Sequence, residues 1–377
     1  MEQADQQRLD RHFMARALAL TRRGLGRSSP NPAVGALVVA EGRIVGRGWH
    51  VKKGQPHAEP LALAQAGAAA RGATLYVTLE PCNHQGATPP CTQAILRAGV
   101  ARVVYGAGDP NPTVAGGGGA FLAGRGLAVE AGVLAEQCAF EHRFFLTHIT
   151  KGRPHVILKT AATLDGKTAT ASGDSRWITG PASRRFVHRL RGWCDCVCVG
   201  VGTALVDDPQ LTCRLPGGRD PLRVIVDSRL RIDHRAKVFD PAAGGGCLVA
   251  CGPLARPADM ERLRAVGAEV LRLSPAAGGG LDLAELLDHL GRRGVIGMLL
   301  EGGATLAWGF LSQGLVDEVM YFFAPKLLGG ATAAPMLGGA GVAAMAQAIE
   351  LGAPRLRRFN PDVLLWASLA APVDHAR

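Results

Sequence analysis

Aromatic residues make up only 5% of this 377-residue chain, and charged residues only 19%. So few rings leave little material for base-stacking platforms, which weighs against a nucleic-acid partner. Beside the 47% of hydrophobic residues, the low charge density excludes the composition of a disordered chain. No apolar run reaches the roughly 18 residues that span a bilayer. The first stretch, MEQADQQRLDRHF, is polar rather than a signal sequence. A cytoplasmic location and no membrane partner are therefore expected, and without an export signal the nine cysteines read as thiols or metal ligands, not as a disulfide framework.

What the chain does have is length for about two domains and a net charge of +11. The excess is shared, with 15 basic against 10 acidic residues up to residue 150 and 27 against 21 after it. A basic surface of this kind binds anions generally, phosphorylated metabolites included. Helical spacing marks residues 9–23, and a hairpin is expected from Val34–Val39 and Arg43–Val51. A helix at Ala58–Ala70, a strand at Thr74–Leu79, a helix at Cys91–Ala98 and a strand at Arg102–Tyr105 complete a three-layer α/β unit. Glycines 116–119 read as a loop, and within His142–Pro154 the motif Lys151-Gly152-Arg153-Pro154 reads as a turn or linker. The domain boundary is placed there, giving domains 1–150 and 151–377. Strands then recur at His155–Thr160, Asp195–Val199, Leu222–Val226, Cys247–Ala250, Val270–Leu273, Gly297–Leu300 and Val319–Ala324, a second α/β domain. The Gly/Ala-rich stretches 242–246, 276–280 and 329–345 read as surface loops.

His57-Ala58-Glu59 stands before a helix whose first turn tolerates Pro60, since no intrahelical partner is lost there. Pro81-Cys82 ends a strand, and Cys91 opens the next helix after a loop fixed by glycine and prolines. One imidazole and two thiolates leave the fourth tetrahedral position of a zinc ion open, the arrangement of a catalytic site. Glu59, not itself a ligand, is the candidate to move protons between the attacking water and a leaving amine. Cys91, at a helix N-terminus, is expected to stay deprotonated. This is the zinc-deaminase pattern H-x-E followed by P-C, except that eight residues instead of two separate the cysteines. A closed structural zinc in a binding module, or a nucleic-acid-editing zinc deaminase with a C-terminal binding domain, are the rival accounts. Ligation by His84 would close the sphere and expel the reactive water, so a role in orienting the loop or facing solvent fits His84 better.

P-N-P-A-V-G at Pro30–Gly35, H-A-E at His57–Glu59, T-L-E-P-C-N-H-Q-G-A-T-P-P-C at Thr78–Cys91 and D-P-N-P at Asp109–Pro112 resemble the bifunctional deaminase/reductase family of riboflavin biosynthesis. The long cysteine spacing belongs to that branch. The resemblance implies a cytidine-deaminase-like α/β/α first domain with Zn2+ held by His57, Cys82 and Cys91, and with Glu59 as proton shuttle. It implies pyrimidine or ribose contacts at Asn31, His50, Asp109 and Asn111. Members often carry Lys or Arg where this chain has Ala87, so another cation, Lys52 or Lys53 among the candidates, would have to approach the substrate phosphate.

No G-x-G-x-x-G stands between a strand and a helix in the second half, which leaves a Rossmann dinucleotide site unsupported. Glu301-Gly302-Gly303-Ala304-Thr305-Leu306 follows a strand and precedes a helix, where glycine lets backbone approach a pyrophosphate and the helix start offers free N–H groups. By itself such a turn serves geometry equally well. Lys159–Gly166, Ser175–Thr179, Gly202–Thr203 through Asp207–Thr212 and Ala324–Lys326 resemble the family's reductase half, so the resemblance covers nearly the whole chain. It implies a dihydrofolate-reductase-like α/β fold and NADPH as hydride donor. NADPH contacts are implied at Ala161, Trp177, Thr203, Asp207, Ser228 and Gly303, Ala304, Thr305, Leu306, Ala307, Trp308 and Gly309. Substrate contacts are implied at Ser175, Arg191, Leu211, Arg214 and Glu301. Physically, guanidinium forks at Arg191 and Arg214 suit a sugar phosphate, although either alone reads equally as a solvated cation. Trp177 could stack on a cofactor ring or pack in a core. Cys194, Cys196 and Cys198 share one strand face, about 7 Å apart at successive same-face positions, and fit core packing better than one small metal. The expected partner is a phosphorylated pyrimidine, with the chain acting as a homo-oligomer.

Overall fold

The structure is a computed structural model that describes residues 2–86, 88–111 and 117–370. Ala87, Pro112 of the D-P-N-P run and Gly116 lie outside the described residues. The chain divides into two compact units, Met1–Arg153 and Pro154–Arg377.

The first unit runs α1 (Glu2–Thr21), β1 (Gly35–Ala40), β2 (Arg43–Trp49), α2 (Ala58–Ala66), β3 (Thr74–Leu79), α3 (Cys91–Ala98), β4 (Arg102–Ala107), α4 (Gly118–Ala123), β5 (Ala128–Glu130), α5 (Ala135–Glu141) and α6 (Arg143–Lys151). Its sheet has the order β2-β1-β3-β4-β5. β1 is antiparallel to β2 and β3, while β3, β4 and β5 are parallel. The apolar runs of β1 and β3 are buried almost throughout, as strands covered on both faces require. Met14 and Ala17 of α1, Ala62 of α2, Ile95 of α3 and Leu122 of α4 pack with them in one core. A part-buried ion pair ties α1 to the sheet, Arg102 donating to both oxygens of Asp10 at 2.7 and 2.8 Å and Tyr76 Oη donating to it at 2.8 Å.

Glycine in β2 sets how closely α2 can lie. A Cβ at Gly48 would sit 2.0 Å from the Ala58 carbonyl oxygen, closer than any side chain could be accommodated. The start of α2, with His57 and Glu59, is thereby pressed against the sheet. The segment His142–Pro154 ends in the turn expected at Lys151-Gly152-Arg153-Pro154, with Gly152 and Arg153 outside any helix or strand. Its first part forms α6, because Phe144 and Phe145 bury themselves, and the chain is released only at Gly152, whose φ of +68° suits glycine at a helix end.

The second unit comprises β6 (His155–Thr163), β7 (Lys167–Ala169), α7 (Pro181–Trp193), β8 (Cys196–Gly200), α8 (Val201–Asp207), β9 (Leu222–Val226), β10 (Cys247–Cys251), α9 (Pro257–Arg264), β11 (Glu269–Arg272), α10 (Leu283–Arg292), β12 (Gly297–Glu301), α11 (Ala304–Ser312), β13 (Glu318–Ala324), β14 (Ala334–Pro335), β15 (Arg355–Phe359) and β16 (Asp362–Ser368). Nine strands form one sheet in the order β11-β10-β9-β8-β12-β6-β13-β16-β15, and β14 pairs with β7 separately. From β11 to β13 the strands are parallel, and the β15–β16 hairpin adds antiparallel strands at one edge. β12 lies between β8 and β6, so the connection order reverses there, and the carboxyl ends of these strands are where an open α/β sheet leaves a crevice. Cys196 and Cys198 are fully buried in the core beside Val224, Met298 and Leu300.

Candidate functional site

In the first unit, three short pieces of chain bring hetero-atoms together. His57 is the residue before α2, Cys82 follows Pro81 at the end of β3, and Cys91 is the first residue of α3. Their ligand atoms lie within 4.8 Å of one another, and no other such group of His, Cys, Asp and Glu occurs among the described residues. His57 Nδ1 is 3.5 Å from Cys82 Sγ and 3.3 Å from Cys91 Sγ. An imidazole nitrogen and a thiolate on one tetrahedral zinc would stand roughly 3.5 Å apart, so the donor set fits that ion.

The thiols share a proton unequally. Cys82 accepts a hydrogen bond from Cys91, which outweighs burial and brings it down to about 4, with His57 and the Cys91 backbone N–H contributing. Cys91 is correspondingly raised, by that same bond and by burial. The free N–H at the start of α3 points to the neighbouring sulfur, Cys91 N donating to Cys82 Sγ at 3.4 Å. Glu59 is only 3% exposed. Burial first, then the charge of Cys82, pushes its carboxyl up to about 7. Asn31 Nδ2 lies 3.2 Å from His50 Nε2, and His50 Nδ1 is 3.1 Å from the Pro56 carbonyl, with the His50 and His57 rings edge to face at 5.1 Å. Asp109 and Asn111 sit on the loop after β4, where Asn111 N–H donates to Asp109 Oδ1 at 3.0 Å. Lys52 and Lys53 are both exposed on the turn after β2.

The second unit holds a cavity of about 1040 Å3. Of the residues expected to contact NADPH, Ala161, Trp177, Thr203, Asp207, Gly303, Ala304 and Ala307 line it, while Ser228, Thr305, Leu306, Trp308 and Gly309 do not. Ser175, Arg191, Leu211, Arg214 and Glu301, the expected substrate contacts, all line it. Gly302 and Gly303 have φ of +72° and +83°, so the turn into α11 takes a backbone path that a side chain would resist. A glycine turn at a helix start, a cavity of this size and a lining rich in cations together fit a dinucleotide phosphate. Trp177 is 62% exposed and therefore no core residue, with Arg184 over its ring at 4.3 Å.

Arg191 is less free than its sequence suggested. Its fork clasps Glu301, Nε to Oε1 at 2.7 Å and Nη2 to Oε2 at 2.9 Å, and Nη1 donates to the Thr212 carbonyl at 3.2 Å. Burial would raise the Glu301 carboxyl, yet Arg191 and then Lys159 hold it at about 2. Lys159, paired in register with Glu301, is itself lowered by burial and by Arg191. Sequence reasoning gave no role to Lys159 or His188, both of which line the cavity. A lone lysine inside the apolar strand HVILKTAAT, and a histidine three residues before Arg191 on one helix, were the available signals.

Comparisons with known proteins agree with this geometry. The family described as the RibD C-terminal domain matches residues 154–365, and the cytidine and deoxycytidylate deaminase zinc-binding region matches residues 7–107. The riboflavin biosynthesis protein RibD of Bacillus amyloliquefaciens is 41% identical over 361 residues, covering 95% of this chain and 96% of that one. This chain belongs to the RibD family. The solved RibD of Acinetobacter baumannii is 38% identical with a TM-score of 0.84, covering 97% of this chain and 100% of that one. A Thermotoga maritima structure, a diaminohydroxyphosphoribosylaminopyrimidine deaminase/5-amino-6-(5-phosphoribosylamino)uracil reductase, is 36% identical with a TM-score of 0.81 and covers 97% of this chain and 100% of itself. As a RibD protein, the chain is a bifunctional deaminase and reductase of riboflavin biosynthesis, with a cytidine-deaminase-like first fold and a dihydrofolate-reductase-like second one, and with Zn2+ and NADPH as cofactors. The nucleic-acid-editing alternative is not favoured by these matches.

Proposed function

We propose that residues 1–150 hydrolyse the 2-amino group from a diaminopyrimidine carrying a phosphoribosylamino chain, and that residues 151–377 then reduce its ribosyl group to ribityl. The observation that supports this reading most is the convergence of His57, Cys82 and Cys91 beside a buried carboxyl, Glu59. These three residues hold the zinc, which when bound supplies a Lewis acid at neutral pH. Glu59, displaced upward in pKa to about 7 by its burial, takes a proton from the attacking water and delivers it to the departing amine. Asn31, His50, Asp109 and Asn111 orient the pyrimidine and its ribose.

In the second unit, NADPH when bound would supply the hydride for the first carbon of the sugar, once the ring C–O bond there has opened to an imine, with the accompanying proton drawn from solvent. Ala161, Trp177, Thr203, Asp207, Gly303, Ala304 and Ala307, which line the cavity, would hold the cofactor there. Arg214, exposed at the cavity, takes the substrate phosphate with Ser175 and the Leu211 backbone. Arg191 is oriented by Glu301, which keeps a spare N–H aimed and fixed.

The partner is a small phosphorylated pyrimidine and not a polynucleotide. No helix among the described residues is long and apolar enough to cross a membrane, and the site of action is the cytoplasm. A homo-oligomer belongs to the same reading. The decisive test is incubation of the purified chain with the phosphorylated diaminopyrimidine, with and without NADPH, followed by mass analysis. A deaminated product that accumulates without NADPH and is consumed with it is expected; its persistence in the presence of NADPH, or ammonia release from polynucleotide instead, overturns the reading.

A further inference from the structure

Glu80 stands one residue before Pro81-Cys82, at the carboxyl end of β3, where its own N–H continues the strand ladder by donating to the Ala107 carbonyl at 2.8 Å. Its side chain carries no role so far. One carboxylate oxygen, Oε2, accepts the Asp109 backbone N–H at 3.3 Å, and the other, Oε1, accepts the Gly119 backbone N–H at 2.9 Å. A single carboxylate thus pins both ends of the connection that leaves β4 and returns in α4. The packing around it is tight, since a Cβ at Gly118 would fall 1.7 Å from the Pro81 carbonyl oxygen and one at Gly117 would fall 2.9 Å from Glu80 Oε1. The first of the pinned residues, Asp109, is a proposed substrate contact, and its carboxylate in turn receives the Asn111 N–H at 3.0 Å.

From this juxtaposition we propose that Glu80 is a positioning residue for the deaminase reaction. It fixes Asp109 and Asn111 relative to the Pro81-Cys82 turn, so that the loop reading the substrate and the strand end bearing a metal ligand move as one piece. The chemistry is that of a charged acceptor taking two amide N–H bonds, each stronger than a neutral pair and both lost in register if either oxygen becomes a donor. No proton moves through Glu80, and it touches no reacting atom. The claim rests on the substrate role given to Asp109 above.

Glu80→Gln tests it, because the amide keeps one acceptor and turns a donor toward the other N–H. In the full-length protein, the deaminase KM is expected to rise, with kcat/KM falling by about 10- to 100-fold, while zinc content stays the same and reductase turnover of the same polypeptide is unaltered. Asp109→Asn alone should raise KM too, and the double variant should be no worse than the more damaged single one, because both act on the same contact. Additive losses in the double variant overturn the coupling. Zinc loss in Glu80→Gln also overturns it, since Glu80 would then serve the ligand turn alone. Unchanged kinetics in Glu80→Gln with a defective Asp109→Asn sinks only the Glu80 claim, whereas unchanged kinetics in Asp109→Asn sinks the substrate role and the positioning claim with it. Should Glu80→Gln also depress reductase turnover, Glu80→Asp, which keeps both oxygens one methylene back, is judged by the same zinc, KM and double-variant criteria.

Discussion

His57, Cys82 and Cys91 gather within 4.8 Å beside a carboxyl 3% exposed, whereas the second unit spreads its polar groups around a cavity of about 1040 Å3 and has already paired the strongest of them, Arg191 with Glu301. The contrast follows from what each site must hold. A metal ion is gripped by side-chain atoms at fixed distances, so identity and spacing decide everything. A dinucleotide is held along its length by backbone turns and weak contacts, so shape carries more than any single residue, and the exception among the lining residues is the ion pair of Arg191 with Glu301.

That contrast can be broken by substitution. The largest effect is expected from Glu59→Gln, which should lower deamination by about 10²- to 10⁴-fold with zinc content and reductase turnover intact; zinc analysis beside both assays checks it, and unimpaired deamination would remove Glu59 from the chemistry. In the second unit, Glu301→Gln leaves Arg191, 12% exposed, and the half-buried Lys159 without a counter-charge and should cost about 3 kcal/mol. The measurement is the urea midpoint for loss of reductase activity, and an unshifted midpoint would show that the pair is worth little.

Acid sharpens the comparison. His142, buried and bonded through Nε2 to Thr78 Oγ1 at 3.0 Å, is lowered by burial from 6.5 to about 4. Between those values the unfolded chain binds more protons than the folded one. Stability is therefore full above pH 6.5 and declines as pH falls toward 4, by about 3 kcal/mol in all. Glu301, at about 2, keeps its charge over the same window. Urea midpoints for deaminase loss at pH 7 and pH 5 should differ in the parent chain, and the difference should shrink in His142→Gln. The smallest effect expected is that of Gly48→Ala, about 1 to 3 kcal/mol from forcing α2 off the sheet, with deamination falling more than reduction. Equal damage to both activities would contradict the local account.

Much of this was legible beforehand where function rests on side chains of distinctive type. His57, Glu59, Cys82 and Cys91 declared themselves by spacing, and the alternation of β3, α3 and β4 gave the layers. What escaped was set by packing or by charge. α6 hid behind Lys151-Gly152-Arg153-Pro154, whose glycine marks the end of a helix as readily as a linker. The β15–β16 hairpin escaped because β15, Arg355–Phe359, is an arginine-rich edge strand with an exposed surface and no apolar alternation to betray it. Lys159 and His188 acquire their place only when β6, α7 and β12 meet, and the grip of Arg191 on Glu301 depends on a contact that no local pattern encodes.

That grip joins residues 110 positions apart, while Cys91 and His57 are separated by only 34. During translation at roughly 5 to 20 residues per second, the arginine emerges roughly 5 to 20 s before its carboxylate exists. Until then, strand β6 and helix α7 have no β12 between β6 and β8 and nowhere to bury a guanidinium. The ribosome therefore delivers a chain that can assemble its first catalytic pocket early and must keep its second one waiting, solvated and open, until the last third is made.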